Sequence, residues 1–91
     1  MENEPQIDLN QAKQYLRVNG NEFDTQISEM ISCAQNIAKL YIESETLKQN
    51  SKIIKQGVLS HIALMFDSGY VSSSLPAEVL QFYKPFIRPK L

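Results

Sequence analysis

The 91-residue chain has one cysteine, one histidine and no tryptophan, and these scarcities exclude several kinds of site. Cys33 alone cannot form an intramolecular disulfide or a thiolate zinc site. It lies within an apolar helical pattern, which favours a buried thiol, and single-cysteine usage is typical of a reducing compartment. His61 has no second histidine and no carboxylate at metal-ligand spacing, so we expect a structural or surface role for it. We therefore expect no catalytic residues, no metal and no cofactor, and a protein that is not an enzyme.

Neither sign of charge dominates, and long apolar runs are missing. Nine basic and ten acidic residues are mixed along the chain, for a net charge of −1. There is no Lys/Arg run that would bind nucleic acid or an anionic membrane. No apolar run approaches the roughly 20 residues that span a bilayer, and residues 1–6 are too polar for a signal peptide. The sequence predicts a soluble, intracellular protein.

A helical apolar period is the main positive signal, and it is clearest over residues 23–42. Apolar side chains recur there at steps of three and four, and a second row at Cys33, Ile37 and Leu40 widens the stripe. Twenty helical residues reach about 30 Å, close to the span of a small domain. We therefore predict that this segment is the long central helix. The first row consists of Phe23, Ile27, Met30, Ile31, Ala34, Ala38 and Tyr41.

Three further helices are predicted around it. Asp8 and Gln11 form a capping-box pattern for a first helix that runs from residue 9 to about 17 and is ended by Gly20. A third helix should run from about 51 to 67, with Gly57 allowing close approach to the central helix. Pro76 precedes a short helix over residues 77–83. Residues 43–50 are predicted to be a polar connection.

The predicted fold class is all-α, a three-helix bundle around a long central helix with a short C-terminal helix and an extended C-terminal arm. The expected divisions are a flexible N-terminus at 1–6, a helical domain at 7–84 and the arm at 85–91. A chain of this size buries only about 60–65% of the surface that it exposes when unfolded. We therefore expect it to gain stability by oligomerisation.

The C-terminal segment supplies the candidate partner-binding residues. Aromatic residues and arginine are enriched at protein interfaces, and both occur in this segment. We predict that the segment is a docking arm; packing on its own core and contact with nucleic acid remain alternatives. The candidates are Phe82, Tyr83, Phe86, Ile87, Arg88 and Leu91.

Four segments in this order resemble the head–tail connector family of tailed bacteriophages, also called head-completion or DNA-packaging adaptor proteins. The first-helix pattern is similar to IDLNQAKQYLRVNG, and the second helix to FDTQISEMISCAQNIAKLYIE. A third segment, IIKQGVLSHIALMFDSG, occupies the position of the family's third helix. A fourth, LPAEVLQFYKPFIR, resembles the family's closing segment. The resemblance covers residues 7–88.

The resemblance implies a structural subunit of a virion or prophage. Family members form a ring of about a dozen copies below the portal protein, and successive copies then contact each other through two different patches. The ring extends the DNA channel, through which DNA passes without sequence-specific binding, and it offers a surface to a tail-side connector or stopper protein. Such a subunit would occupy the host bacterial cytoplasm during assembly and then the head–tail junction of the virion.

Two other classes remain open. One is a small helical DNA-binding regulator with a helix-turn-helix. Residues 43–50 are longer than the tight turn of that motif, and the third helix offers only Lys52 and Lys55 to phosphates. The other is a protein-interaction module.

Overall fold

The computed structural model describes residues 7–69 and 75–87, and these residues form five α-helices and one 3-10 helix, with no strand among them. The prediction of an all-α protein is therefore confirmed. The N-terminus at 1–6 and the last four residues of the predicted arm lie outside the described residues. The helices are α1 (Leu9–Leu16), α2 (Asp24–Tyr41), α3 (Ser44–Gln49), α4 (Ser51–Ser68) and α5 (Ala77–Tyr83), followed by the 3-10 helix Lys84–Phe86.

The start of α1 is fixed by the predicted capping box. The Gln11 N–H donates to Asp8 Oδ1 at 2.8 Å, and the Asp8 N–H donates to Gln11 Oε1 at 3.0 Å. The end of α1 differs from the prediction, because Arg17 and not Gly20 is the left-handed residue that terminates it, with φ of 61°. The Val18 N–H then donates to the Lys13 carbonyl at 2.9 Å, which satisfies an otherwise unpaired helix end.

The two longest helices, α2 and α4, lie antiparallel. The rings of Phe23, just before α2, and Phe66, near the end of α4, meet edge to face with centroids 5.5 Å apart. Both helices have 18 residues, and α4 contacts α1, α2, α3 and α5. The predicted single central helix over 23–42 is thus not what organises the chain: α4 lies at the centre, because α3 and α5 pack on it.

The core lies mainly between α2 and α4. Shorter elements close it: Ala12 of α1, Leu47 of α3 and Val79 of α5 are all buried in the same cluster. The α2 and α4 residues of the cluster are Ile27, Met30, Ile31, Ala34, Ala38, Ile54, Val58, Ile62 and Met65. These positions follow the apolar period of the sequence, so local patterning determines which face of each long helix is buried.

Helix α3 occupies the segment that was predicted to be a polar connection. Its single large apolar side chain, Leu47, is buried, and α3 packs against α4. The Asn50 side-chain amide donates to the Thr46 carbonyl at 3.1 Å and helps to end the helix. One buried leucine in a polar stretch shows no periodicity, so the sequence pattern could not indicate this helix.

Among the described helices, none combines the length and the apolar character needed to cross a bilayer.

Candidate protein-interaction surface

Helix α5 crosses α4 at Gly57. A Cβ atom added to this glycine would lie 2.5 Å from Tyr83 Cε1 and 3.1 Å from Phe82 Cβ. Gly57 therefore allows a close helix approach, as the sequence predicted, but the partner is α5 and not α2. The crossing fixes the orientation of two adjacent aromatic residues, because neighbours on a helix point about 100° apart.

Tyr83 points into the core. Its side chain is 0% exposed, and no described residue offers a hydrogen-bond partner to its buried hydroxyl. Burial raises the pKa of this hydroxyl, because the protein interior disfavours the phenolate. Of the predicted partner-binding residues, Tyr83 therefore lies in the core and not on a surface that a partner can reach.

Phe82, which immediately precedes Tyr83, is 37% exposed. Ile53 lies one turn before Gly57 on α4 and is 52% exposed. Residues four apart lie on the same helix face, so Ile53 and Phe82 both lie near the crossing. Ile53 is not among the partner-binding residues that the sequence predicts.

The predicted extended arm begins differently from the expectation. Lys84–Phe86 is a 3-10 helix that continues α5 directly, with Pro85 in its first turn, where its missing N–H removes no helix hydrogen bond. Phe86 and Ile87 are half-buried and pack against the core. For these two residues the structure shows the alternative of packing on the chain's own core. The candidates Arg88 and Leu91 lie outside the described residues.

Other exposed apolar side chains lie away from this crossing. Leu40 and Tyr41 at the end of α2 are 81% and 46% exposed, and Phe23 remains 40% exposed despite its contact with Phe66. Tyr15 on α1 is also exposed. The described surface therefore presents apolar groups at several separate places, on different helices.

The histidine and the cysteine are both at least partly buried. His61 is fully buried on the core face of α4. Cys33 is half-buried, and burial raises the pKa of its thiol, which disfavours the reactive thiolate. Within the described ranges, no group of three or more His, Cys, Asp or Glu side chains could hold a metal ion.

One open groove of about 560 Å³ lies beside the C-terminal end of α1. Lys13, Gln14 and Arg17 line it together with the turn at Gly20. The Lys13 ammonium is 2.8 Å from the Asp24 carboxylate, so one of its two cations already has a partner within the chain. The groove is therefore formed by α1 and the turn that follows it.

Comparison of the chain with protein-family models, with curated proteins and with solved structures gives no match.

Proposed function

We propose that the chain is a structural subunit of a phage head–tail connector, which assembles as a ring below the portal, extends the DNA channel and joins the head to the tail. The order of the elements supports this proposal. The four segments that carry the family resemblance coincide with α1, α2, α4 and α5. In this proposal α1, α2 and α4 form the three-helix bundle of the subunit, and α5 closes one side of it.

The observation that carries the proposal is the exposed apolar surface. Six large apolar side chains in the described ranges are exposed: Tyr15, Phe23, Leu40, Tyr41, Ile53 and Phe82. Single exposed apolar residues are ordinary, but here they occur on several helices of a chain too small to bury a large core. A subunit of a closed ring needs two different patches for its neighbours and further surface for the portal and the tail protein.

A DNA-binding regulator is less well supported. In a helix-turn-helix, a short turn joins the two helices of the motif. Here α3 lies between α2 and α4 and is packed on α4, so these two long helices do not form that motif.

The proposal is tested by mixing the purified chain with portal protein. We expect annular particles in negative-stain images and co-sedimentation with the portal. A chain that remains monomeric and does not bind the portal would overturn the proposed function.

A truncation isolates the contribution of the C-terminal segment. Removing residues 88–91 leaves Phe86 and Ile87 in their core contacts, so the helical circular dichroism signal should be unchanged. We expect weaker portal binding, because the segment is proposed to grip the portal or an adjacent subunit. A full-length chain carrying Leu91→Ala is the matched control for loss of a single apolar group. Undiminished binding by the truncated chain would exclude the segment from the portal contact.

A further inference from the structure

The surface at the α4–α5 crossing carries a net positive charge. The two segments that meet at Gly57, residues 51–60 and 77–87, contain three lysines and one acidic residue, Glu78, which is exposed one turn before Phe82. Lys52 and Lys84 are exposed beside the exposed apolar residues Ile53 and Phe82. We call these four residues, Lys52, Ile53, Phe82 and Lys84, the basic patch.

The surface at the other end of α4 carries a net negative charge. The two segments that meet at the Phe23–Phe66 contact, residues 21–31 and 61–69, contain four acidic residues and no Lys or Arg. Asp24 is paired with Lys13 of α1, whereas Glu22 and Asp67 are exposed. We call Glu22, Phe23 and Asp67 the acidic patch.

The two patches lie on different sides and at different ends of the molecule. Ile53 and Phe66 are thirteen positions apart on α4. That separation is about 20 Å along the helix axis and a rotation of about 220° around it. One copy therefore cannot bring its own patches together, but two copies can.

The charges of α4 also oppose the dipole of their own helix. Its first turn contains Lys52 and no acidic residue, and its last turn contains Asp67 and no basic residue. The helix N-terminus is the positive end of the dipole and the C-terminus the negative end, so both charges are placed unfavourably in a lone copy. Opposite charges from another copy would offset that cost.

We infer that the basic patch of one copy docks on the acidic patch of the next, with Ile53 and Phe82 covering Phe23 while Lys52 and Lys84 meet Glu22 and Asp67. The occupant of each patch is thus a second copy of this chain. The contact is head-to-tail, the type of interface that closes into rings. The inference rests on the proposed function, since it assigns the subunit contact of the ring.

Charge reversal tests the interface. One variant carries Lys52→Glu with Lys84→Glu, and the other carries Glu22→Lys with Asp67→Lys. Each alone should associate about ten-fold or more weakly than the unmodified chain in analytical ultracentrifugation, because like charges then face each other. An equimolar mixture of the two should recover association, since every contact in an alternating assembly is again between opposite charges. A chain carrying Lys39→Glu with Lys48→Glu is the control for the Lys52→Glu, Lys84→Glu variant. It has the same change in net charge, but outside the patches, and should associate normally.

A crosslink gives a second measurement that does not depend on charge. In a Cys33→Ser background, a chain carrying Phe23→Cys and Phe82→Cys should oxidise to a ladder of multimers. Either cysteine substitution alone should give no ladder. Dimers only, or no crosslink in the double variant, would overturn the head-to-tail contact.

The remaining outcomes separate this inference from the proposed function. Variants that associate as the unmodified chain does, or a mixture that fails to recover association, would overturn the interface. So would a chain that stays monomeric up to about 1 mM, the limit of very weak association. Portal binding is measured independently in each case, so a chain that ignores the portal overturns the proposed function whether or not its copies bind each other.

Discussion

The ring of Tyr83 occupies the space in which a side chain on Gly57 would lie. A Cβ at position 57 would be 2.5 Å from Tyr83 Cε1 and 3.1 Å from its Cζ. The contact holds α5 against α4, turns Tyr83 into the core and leaves Phe82 on the surface. The crossing of two helices thus determines both a packed core residue and an exposed interaction residue.

Replacing Gly57 with alanine should destabilise the chain. Alanine improves helix propensity by about 1 kcal/mol, but its methyl group must displace the buried Tyr83 ring, and overpacking costs about 1–3 kcal/mol. We expect a net loss of up to about 2 kcal/mol in the free energy of unfolding, measured by urea denaturation. Gln56→Ala, at the exposed neighbouring position, is the control and should have little effect. A gain in stability from Gly57→Ala would contradict the described crossing.

Replacing Tyr83 with phenylalanine should stabilise the chain. The substitution removes a buried hydroxyl for which the described residues offer no partner, while the ring keeps its packing. An unsatisfied buried polar group costs about 1–3 kcal/mol, so we expect a gain of about 1 kcal/mol in urea denaturation. Tyr15→Phe, on the exposed face of α1, should be neutral. A loss of stability in Tyr83→Phe would show that the hydroxyl has a partner outside the described residues.

Stability should fall at alkaline pH because of the same hydroxyl. Burial raises its pKa in the folded chain, whereas in the unfolded chain it ionises near its ordinary value of about 10. The contribution of Tyr83 is therefore fully present below about pH 10 and is lost as the pH rises above it, by at most about 1.4 kcal/mol per pH unit. Urea midpoints between pH 8 and 11 should decline more steeply for the unmodified chain than for Tyr83→Phe. Parallel curves would contradict the burial of this hydroxyl.

Lys52→Glu should change the monomer and the assembly in opposite directions. A carboxylate in the first turn of α4 interacts favourably with the helix dipole, so the unfolding free energy of the dilute monomer should rise by about 0.3–1 kcal/mol. The same change removes a cation from the basic patch, so association should weaken. Thermal unfolding at low concentration and sedimentation at high concentration measure the two effects. In both measurements, Lys52→Gln should lie between the unmodified chain and Lys52→Glu. If Lys52→Glu lowers both the unfolding free energy and the association, Lys52 stabilises the folded monomer.

Local features of the fold could be predicted from the sequence. The Asp8–Gln11 capping box depends on residues three positions apart, and it is present as predicted. The apolar period of α2 and α4 likewise determines which face of each helix is buried. The predicted bounds of α5 agree with the structure, because Pro76 and Pro85 flank it.

Features that depend on distant contacts could not be predicted. The position of α3 depends on its packing against α4, with Leu47 as its buried residue. The same limit applies to the candidate surface. Phe82 and Tyr83 look equivalent in the sequence, and only the crossing at Gly57 shows which of them is buried. Ile53 carries no sign of exposure in an apolar stretch, so its part in the surface became visible only with α5 in position.

The reversed charges of α4 make the molecule responsive to ionic strength. Dissolved ions screen the unfavourable interaction of Lys52 and Asp67 with their own helix, and they equally screen attraction between neighbouring copies. Adding sodium chloride should therefore favour the separated subunit for two reasons. It weakens the unfavourable interactions of these charges with the helix dipole, and it weakens the attraction between neighbouring copies.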